Sequence, residues 1–239
     1  MTERWFSDRL QQEITVTRWG SFGTPVLVFP SAGGDAGEIE RHGLVEACGP
    51  LLAEGKVKLY SVDSVAGQAM VSKTGPVDYR LWLLNQFEEC VRWEVVPAIH
   101  ADLGGRELDV ITTGASIGAF NAVAVLCRYP DVFGAAIGMS GTYRIERFYD
   151  DVWNQDLYFS APLQFVPGLD GQALDLLRQR RVILASGEGD YENVDESWRM
   201  ADALGAKGIP NRVDNWGPDW PHQWHTWRQM LPQYLRELT

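Results

Sequence analysis

Apolar positions along the chain fall into two periods. Glu13–Trp19 alternates apolar and polar side chains, which predicts a half-buried strand. Pro25–Pro30 (PVLVFP) is a short continuous apolar run ending in a glycine-rich loop, the pattern of a strand covered on both faces. Further strands are predicted at Val57–Val62, Leu108–Thr113, Ala135–Ser140, Arg181–Ser186 and Asn211–Trp216. Between them, helical spacing predicts helices at Ile39–Gly55, Tyr79–Leu103, Ala119–Tyr129, Val194–Ala206 and Gln223–Leu238. Strands separated by helices need crossover connections, so the expected architecture is a single α/β domain over residues 1–239, with a mostly parallel sheet flanked by helices. Residues 141–177, rich in aromatics, Asp and Pro, break this rhythm and predict an excursion above the carboxyl edge of the strands, where open parallel sheets bind ligands.

Composition narrows the function class. With 239 residues and 45% hydrophobic content, the chain is long enough to bury a core without disulfides or metal. Its formal charge of −11 argues against nucleic acid and anionic lipid as partners. There is no apolar stretch of membrane-spanning length and no secretory h-region, so no membrane partner is expected. Cys48, Cys90 and Cys127 are odd in number and share no ligand spacing. They are expected to be reduced thiols of a cytoplasmic protein, with no metal and no cofactor. Oligomeric state is not readable, and a homo-oligomer fits as well as a monomer.

The chemistry concentrates after the Leu108–Thr113 strand. Gly114-Ala115-Ser116-Ile117-Gly118 is a G-x-S-x-G elbow with a strand before it and a small-residue helix after it. Such a turn lifts the Ser116 hydroxyl above the sheet as a nucleophile. A serine needs a base, and the base needs an orienting acid. In this fold the chain order is serine, acid, histidine. His42 and His100 precede Ser116 and lie in predicted helices. His222 and His225 follow the last strand, and His222 is preferred because it lies in a loop that can reach over the sheet edge. The acid should follow the Arg181–Ser186 strand, where Asp190 is preferred over Glu188 and Glu192. Oxyanion donors are expected from the Ile117 amide and from the Ser31–Asp35 loop, where Ala32 or Gly33 can supply the second N–H. That loop lacks the lysine and the glycine spacing of a phosphate cradle. Gly33, Trp153, Tyr158, Trp220 and Trp224 are candidates to line the substrate site.

Five segments resemble the putative-esterase branch of the α/β-hydrolase superfamily, which includes esterase D-like enzymes and bacterial mycolyltransferases. They are FPSAGGD at 29–35, GASIGAFNA at 114–122, SGTYRIERF at 140–148, ASGEGDYEN at 185–193 and WGPDWPHQWHTWRQMLPQYL at 216–235. The resemblance implies a serine esterase with Ser116, Asp190 and His222 as its triad. It departs from the family where Gln223 replaces the usual aspartate after the histidine. The expected reaction is hydrolysis of a small-molecule carboxylic ester through an acyl-enzyme. Acyl transfer with the same triad, or a non-catalytic binding role on the same scaffold, are the alternatives.

Overall fold

Val57–Val62 and Val110–Ala115 have every residue buried, as strands covered on both faces require. They are β4 and β5 of a sheet whose other strands are β1 (Thr2–Ser7), β2 (Gln12–Trp19), β3 (Thr24–Phe29), β6 (Phe133–Met139), β7 (Arg181–Ser186) and β8 (Asn211–Asn215). The structure, a computed structural model, describes all 239 residues. The strand order is β1-β2-β4-β3-β5-β6-β7-β8. β1 and β2 are antiparallel, and every pairing from β4 through β8 is parallel.

The period-two geometry of β3 divides the core. Leu27 and Phe29 enter one apolar cluster, Val26 and Val28 the other. The first cluster is closed by helices α1 (Val65–Ser72), α2 (Val77–Cys90), α3 (Ile117–Arg128) and α4 (Val194–Ala206). The second is closed by α5 (Trp224–Leu238), through Trp227, Met230, Leu231, Tyr234 and Leu235. No helix is long and apolar enough to cross a membrane. The three cysteines are free and buried, and burial pushes the Cys48 and Cys90 thiols up to about 12.

Four elements differ from the sequence pattern. β1 and α1 are additional to it. The helix expected at Ile39–Gly55 is three short turns, Glu38–Arg41, Leu44–Ala47 and Gly49–Ala53. Gly43 (φ 72°) interrupts them first, and Pro50, which has no N–H to donate, restarts the last. The long helix from α2 runs on to Asp102, but through a π-turn at Val91–Val95. Pro97 explains that turn, because its ring crowds the carbonyl four residues earlier.

Residues 141–177 fold as short helical turns, including Gln155–Ser160, which Asn154 caps by accepting the Leu157 N–H at 3.0 Å. Leu157, Ala161, Phe165 and Val166 bury themselves in the cluster beneath α2 and α3. The segment is also tied to α2 where Arg80 donates to the Phe148 carbonyl at 2.7 Å.

Candidate active site

The carboxyl ends of β5, β6 and β7 are locked together by their backbones. Ser116 N–H donates to the Met139 carbonyl at 3.0 Å, and Ser140 N–H donates to the Ala185 carbonyl at 2.7 Å. Ser116 itself adopts φ 59°, ψ −119°, a left-handed conformation unusual for a non-glycine residue. The two flanking glycines make this turn possible. A Cβ on Gly114 would stand 2.4 Å from the Gly118 carbonyl carbon, and one on Gly118 would stand 2.4 Å from the Phe29 carbonyl oxygen. The same contact seats the start of α3 directly against the end of β3. Ser116 is half-buried, and Ile117, as the first residue of α3, carries an N–H with no intrahelical acceptor.

The loop after β3 comes next to this elbow. The Ser31 N–H donates to Glu38 Oε2 at 2.7 Å, and the Gly34 N–H donates to the Ser31 carbonyl at 2.9 Å. From Ser31 to Gly34, only the N–H groups of Ala32 and Gly33 have no acceptor. Ala32 has φ 40°. Burial lifts the Glu38 carboxyl above the usual range, against the two Ser31 donors, which pull it back.

The loops after β7 and β8 run against each other, backbone on backbone. Glu188 N–H donates to Gly217 O at 2.8 Å, Gly189 N–H to Trp220 O at 3.2 Å, and His222 N–H to Asp190 O at 2.9 Å. Gly187 and Gly189 permit this approach, since a Cβ at Gly187 would lie 1.8 Å from the Trp220 carbonyl oxygen. Tyr191 then takes φ 66° and turns the chain, so that Glu192 folds back under His222.

The carboxylate beside the histidine is therefore Glu192, a correction to the expectation of Asp190. Glu192 Oε2 lies 3.8 Å from His222 Nδ1, and its side chain is 1% exposed. Oε1 accepts the Ser140 hydroxyl at 2.5 Å and Oε2 accepts the Ser186 hydroxyl at 3.0 Å. The Ser140 oxygen in turn accepts the Trp227 Nε1–H at 2.9 Å. Trp227 also presents its ring edge-on to His222, with centroids 5.2 Å apart. Asp190 is exposed, and only its main-chain carbonyl touches His222. Glu188 is also exposed and accepts the Asn215 amide at 2.7 Å. Ser140, Ser186 and Trp227 escaped sequence reading because no sequence pattern marks a residue that holds a buried carboxylate.

The remaining histidines stand apart. His225 is exposed on the outer face of α5, and His100 bonds the Leu108 carbonyl at 2.9 Å. His42 stacks flat on Trp224, with ring centroids 4.4 Å apart and planes within 1°. That stack occupies one face of Trp224. Trp220 packs edge-on against Trp216. Trp153 and Tyr158 pack on each other, and Tyr158 on Phe159. Gly33 lies against α1, where a Cβ on it would meet Gln68 Cα at 3.0 Å. No group of His, Cys, Asp or Glu side chains is arranged to hold a metal ion.

Residues 83–238 match the family described as Putative esterase. No curated protein matches the chain. Among solved structures, a ferulic acid esterase is similar with a TM-score of 0.73 and 18% identity, over 100% of this chain and 96% of that one. An S-formylglutathione hydrolase from Agrobacterium tumefaciens is similar with a TM-score of 0.76 and 11% identity, over 99% of this chain and 92% of that one. A fluorophosphonate-binding serine hydrolase of Staphylococcus aureus is similar with a TM-score of 0.65 and 16% identity, over 100% of this chain and 97% of that one. At such identities the likeness is one of fold, the α/β-hydrolase fold. With the family match extending over well more than half of its length, the chain belongs to the putative esterase family of hydrolases.

Proposed function

We propose that the protein is a serine carboxylic-ester hydrolase acting through an acyl-enzyme, with Ser116 as nucleophile, His222 as base and Glu192 as the orienting acid. The observation that carries this reading is the buried Glu192 carboxylate facing His222 Nδ1, on the same sheet edge as the Ser116 elbow. A carboxylate in that place favours the tautomer with hydrogen on Nδ1, which leaves Nε2 free to accept the serine proton. Ser116 Oγ makes no hydrogen bond and the Nδ1–Oε2 gap is 3.8 Å, so both contacts must tighten when substrate binds, as is common in unliganded sites.

In the first half-reaction Ser116 Oγ bonds to the ester carbonyl carbon, and its proton passes to His222 Nε2. The carbonyl oxygen becomes an oxyanion held by the Ile117 N–H and the Ala32 N–H, with the Gly33 N–H beside them. Collapse breaks the bond to the leaving alkoxide, which takes the proton back from His222 and departs as an alcohol. In the second half-reaction water gives its proton to His222 and adds to the acyl carbon. The acid product leaves as Ser116 regains its proton.

The test is Ser116→Ala assayed with p-nitrophenyl acetate and butyrate. The wild type is expected to release a burst of nitrophenol. The variant is expected to fold with an unchanged circular dichroism spectrum and to lose about 10⁴-fold or more in kcat. A folded variant with activity within about tenfold of wild type removes Ser116 as the nucleophile.

A further inference from the structure

Ser64 lies at the N-cap of α1, fully buried. A serine there ordinarily accepts an N–H from the first turn of its own helix. Ser64 makes no such bond. Its hydroxyl instead donates to the Ala32 carbonyl at 3.1 Å, and its N–H donates to the Gly34 carbonyl at 3.0 Å. The N-cap residue of α1 thus grips both sides of the turn that carries the two unpaired N–H groups.

The grip acts on a backbone that needs holding. Ala32 sits at φ 40°, a sparsely populated region for a residue with a Cβ, and such conformations persist only when the surroundings impose them. A peptide plane sets its carbonyl and its N–H on opposite sides. With the Ala32 carbonyl bonded to Ser64, the Gly33 N–H of the same plane must point away from α1. If that plane flipped, a carbonyl would be aimed where an N–H is needed. α1 is shaped for the contact. A Cβ on Gly67 would stand 2.0 Å from the Ala32 carbonyl oxygen and 2.3 Å from Ser64 Oγ, so only glycine lets the helix come this close. From the other side, Asp63 Oδ1 accepts the Ala36 N–H at 2.9 Å and Glu38 holds Ser31.

We infer that Ser64 is a positioning residue, whose buried hydroxyl fixes the Ala32–Gly33 peptide so that the Gly33 N–H remains available to the substrate carbonyl oxygen. This rests on the serine-hydrolase reading above.

The experiment compares Ser64→Ala, Gly67→Ala and the double variant with wild type on p-nitrophenyl acetate. A trifluoromethyl ketone, which forms an oxyanion on the nucleophilic serine, serves as a second probe. Removing one oxyanion donor outright costs about 10²–10³ in kcat, so loosening a peptide is expected to cost about 10- to 50-fold. KM is expected to stay within about twofold, and ketone affinity to fall by the same factor as kcat. The acid limb of the pH profile is expected to stay in place, because the His222–Glu192 pair is untouched. The double variant is expected to be no worse than the poorer single one, since both act on one peptide.

If Ser64→Ala does not fold, Ser64→Cys carries the same measurements, with nearly the same volume and a much weaker donor. Activity within twofold of wild type overturns the inference. So does a loss confined to KM, or a kcat loss without weaker ketone binding. If Ser64→Ala is fully active while Ser116→Ala is dead, only the role of Ser64 fails. If Ser116→Ala is active, the hydrolase reading itself fails.

Discussion

Replacing Glu192 by Gln keeps the volume of the buried acid and changes only what its two terminal atoms can do. The surrounding donors decide how the amide must sit. Ser140 Oγ already accepts the Trp227 Nε1–H and gives its own proton to Glu192 Oε1. An amide NH2 placed there would leave the Ser140 hydroxyl proton without its acceptor. The amide oxygen therefore keeps the Ser140 side, and the NH2 falls on the side of Ser186 and His222 Nδ1. A donor facing Nδ1 selects the tautomer with hydrogen on Nε2, which cannot take the proton of Ser116. A swap of this kind in a serine triad costs about 10⁴ in kcat. The looser 3.8 Å contact here sets the expectation at about 10³–10⁴, or roughly 4–5.5 kcal/mol of barrier. The assay is steady-state hydrolysis of p-nitrophenyl acetate between pH 5 and 9, with Asp190→Asn alongside. Asp190 is exposed and offers His222 only a main-chain carbonyl, so Asp190→Asn should stay within about threefold of wild type. A dead Asp190→Asn with a Glu192→Gln within tenfold of wild type would refute the reasoning.

Two further outcomes follow from the same geometry. His222→Ala should match the loss of Ser116→Ala while His225→Ala, on the exposed face of α5, stays within about twofold; the reverse pattern in p-nitrophenyl acetate turnover would place the base on α5. Glu88 is fully buried and burial lifts its carboxyl to about 8, while Arg128 keeps a charged partner in Glu89. The folded state then holds a proton that the unfolded chain releases above about 4.5, so this group's stabilisation is full at low pH and declines as pH rises toward 8. Melting temperatures from pH 5 to 8 should fall more steeply for wild type than for Glu88→Gln, and parallel curves would show that Glu88 stays ionised.

The position of Ser116 was legible in the chain alone because everything that shapes it is local. A buried strand, two glycines and a small-residue helix occupy consecutive positions, and the clash distances at Gly114 and Gly118 are set largely by that stretch and the strand end beside it. The strands from β2 to β8 were legible for the same reason, since period-two or continuous apolar runs are properties of short segments. β1 was not, because an edge strand with mostly exposed residues has no need of an apolar face. The break of the Ile39–Gly55 run was written in Gly43 and Pro50, but apolar spacing masked it. What only the tertiary structure decided is which carboxylate meets His222. Asp190, Glu188 and Glu192 stand within five residues of one another, and no local rule orders them. The choice is made where the loops after β7 and β8 close on each other through Gly187 and Gly189, and where Ser140 and Ser186, at the ends of β6 and β7, supply the donors that make a buried carboxylate affordable only at Glu192. The stacking of Trp224 on His42 belongs to the same class, a contact between the Glu38–Arg41 turn and the start of α5 that no sequence spacing announces.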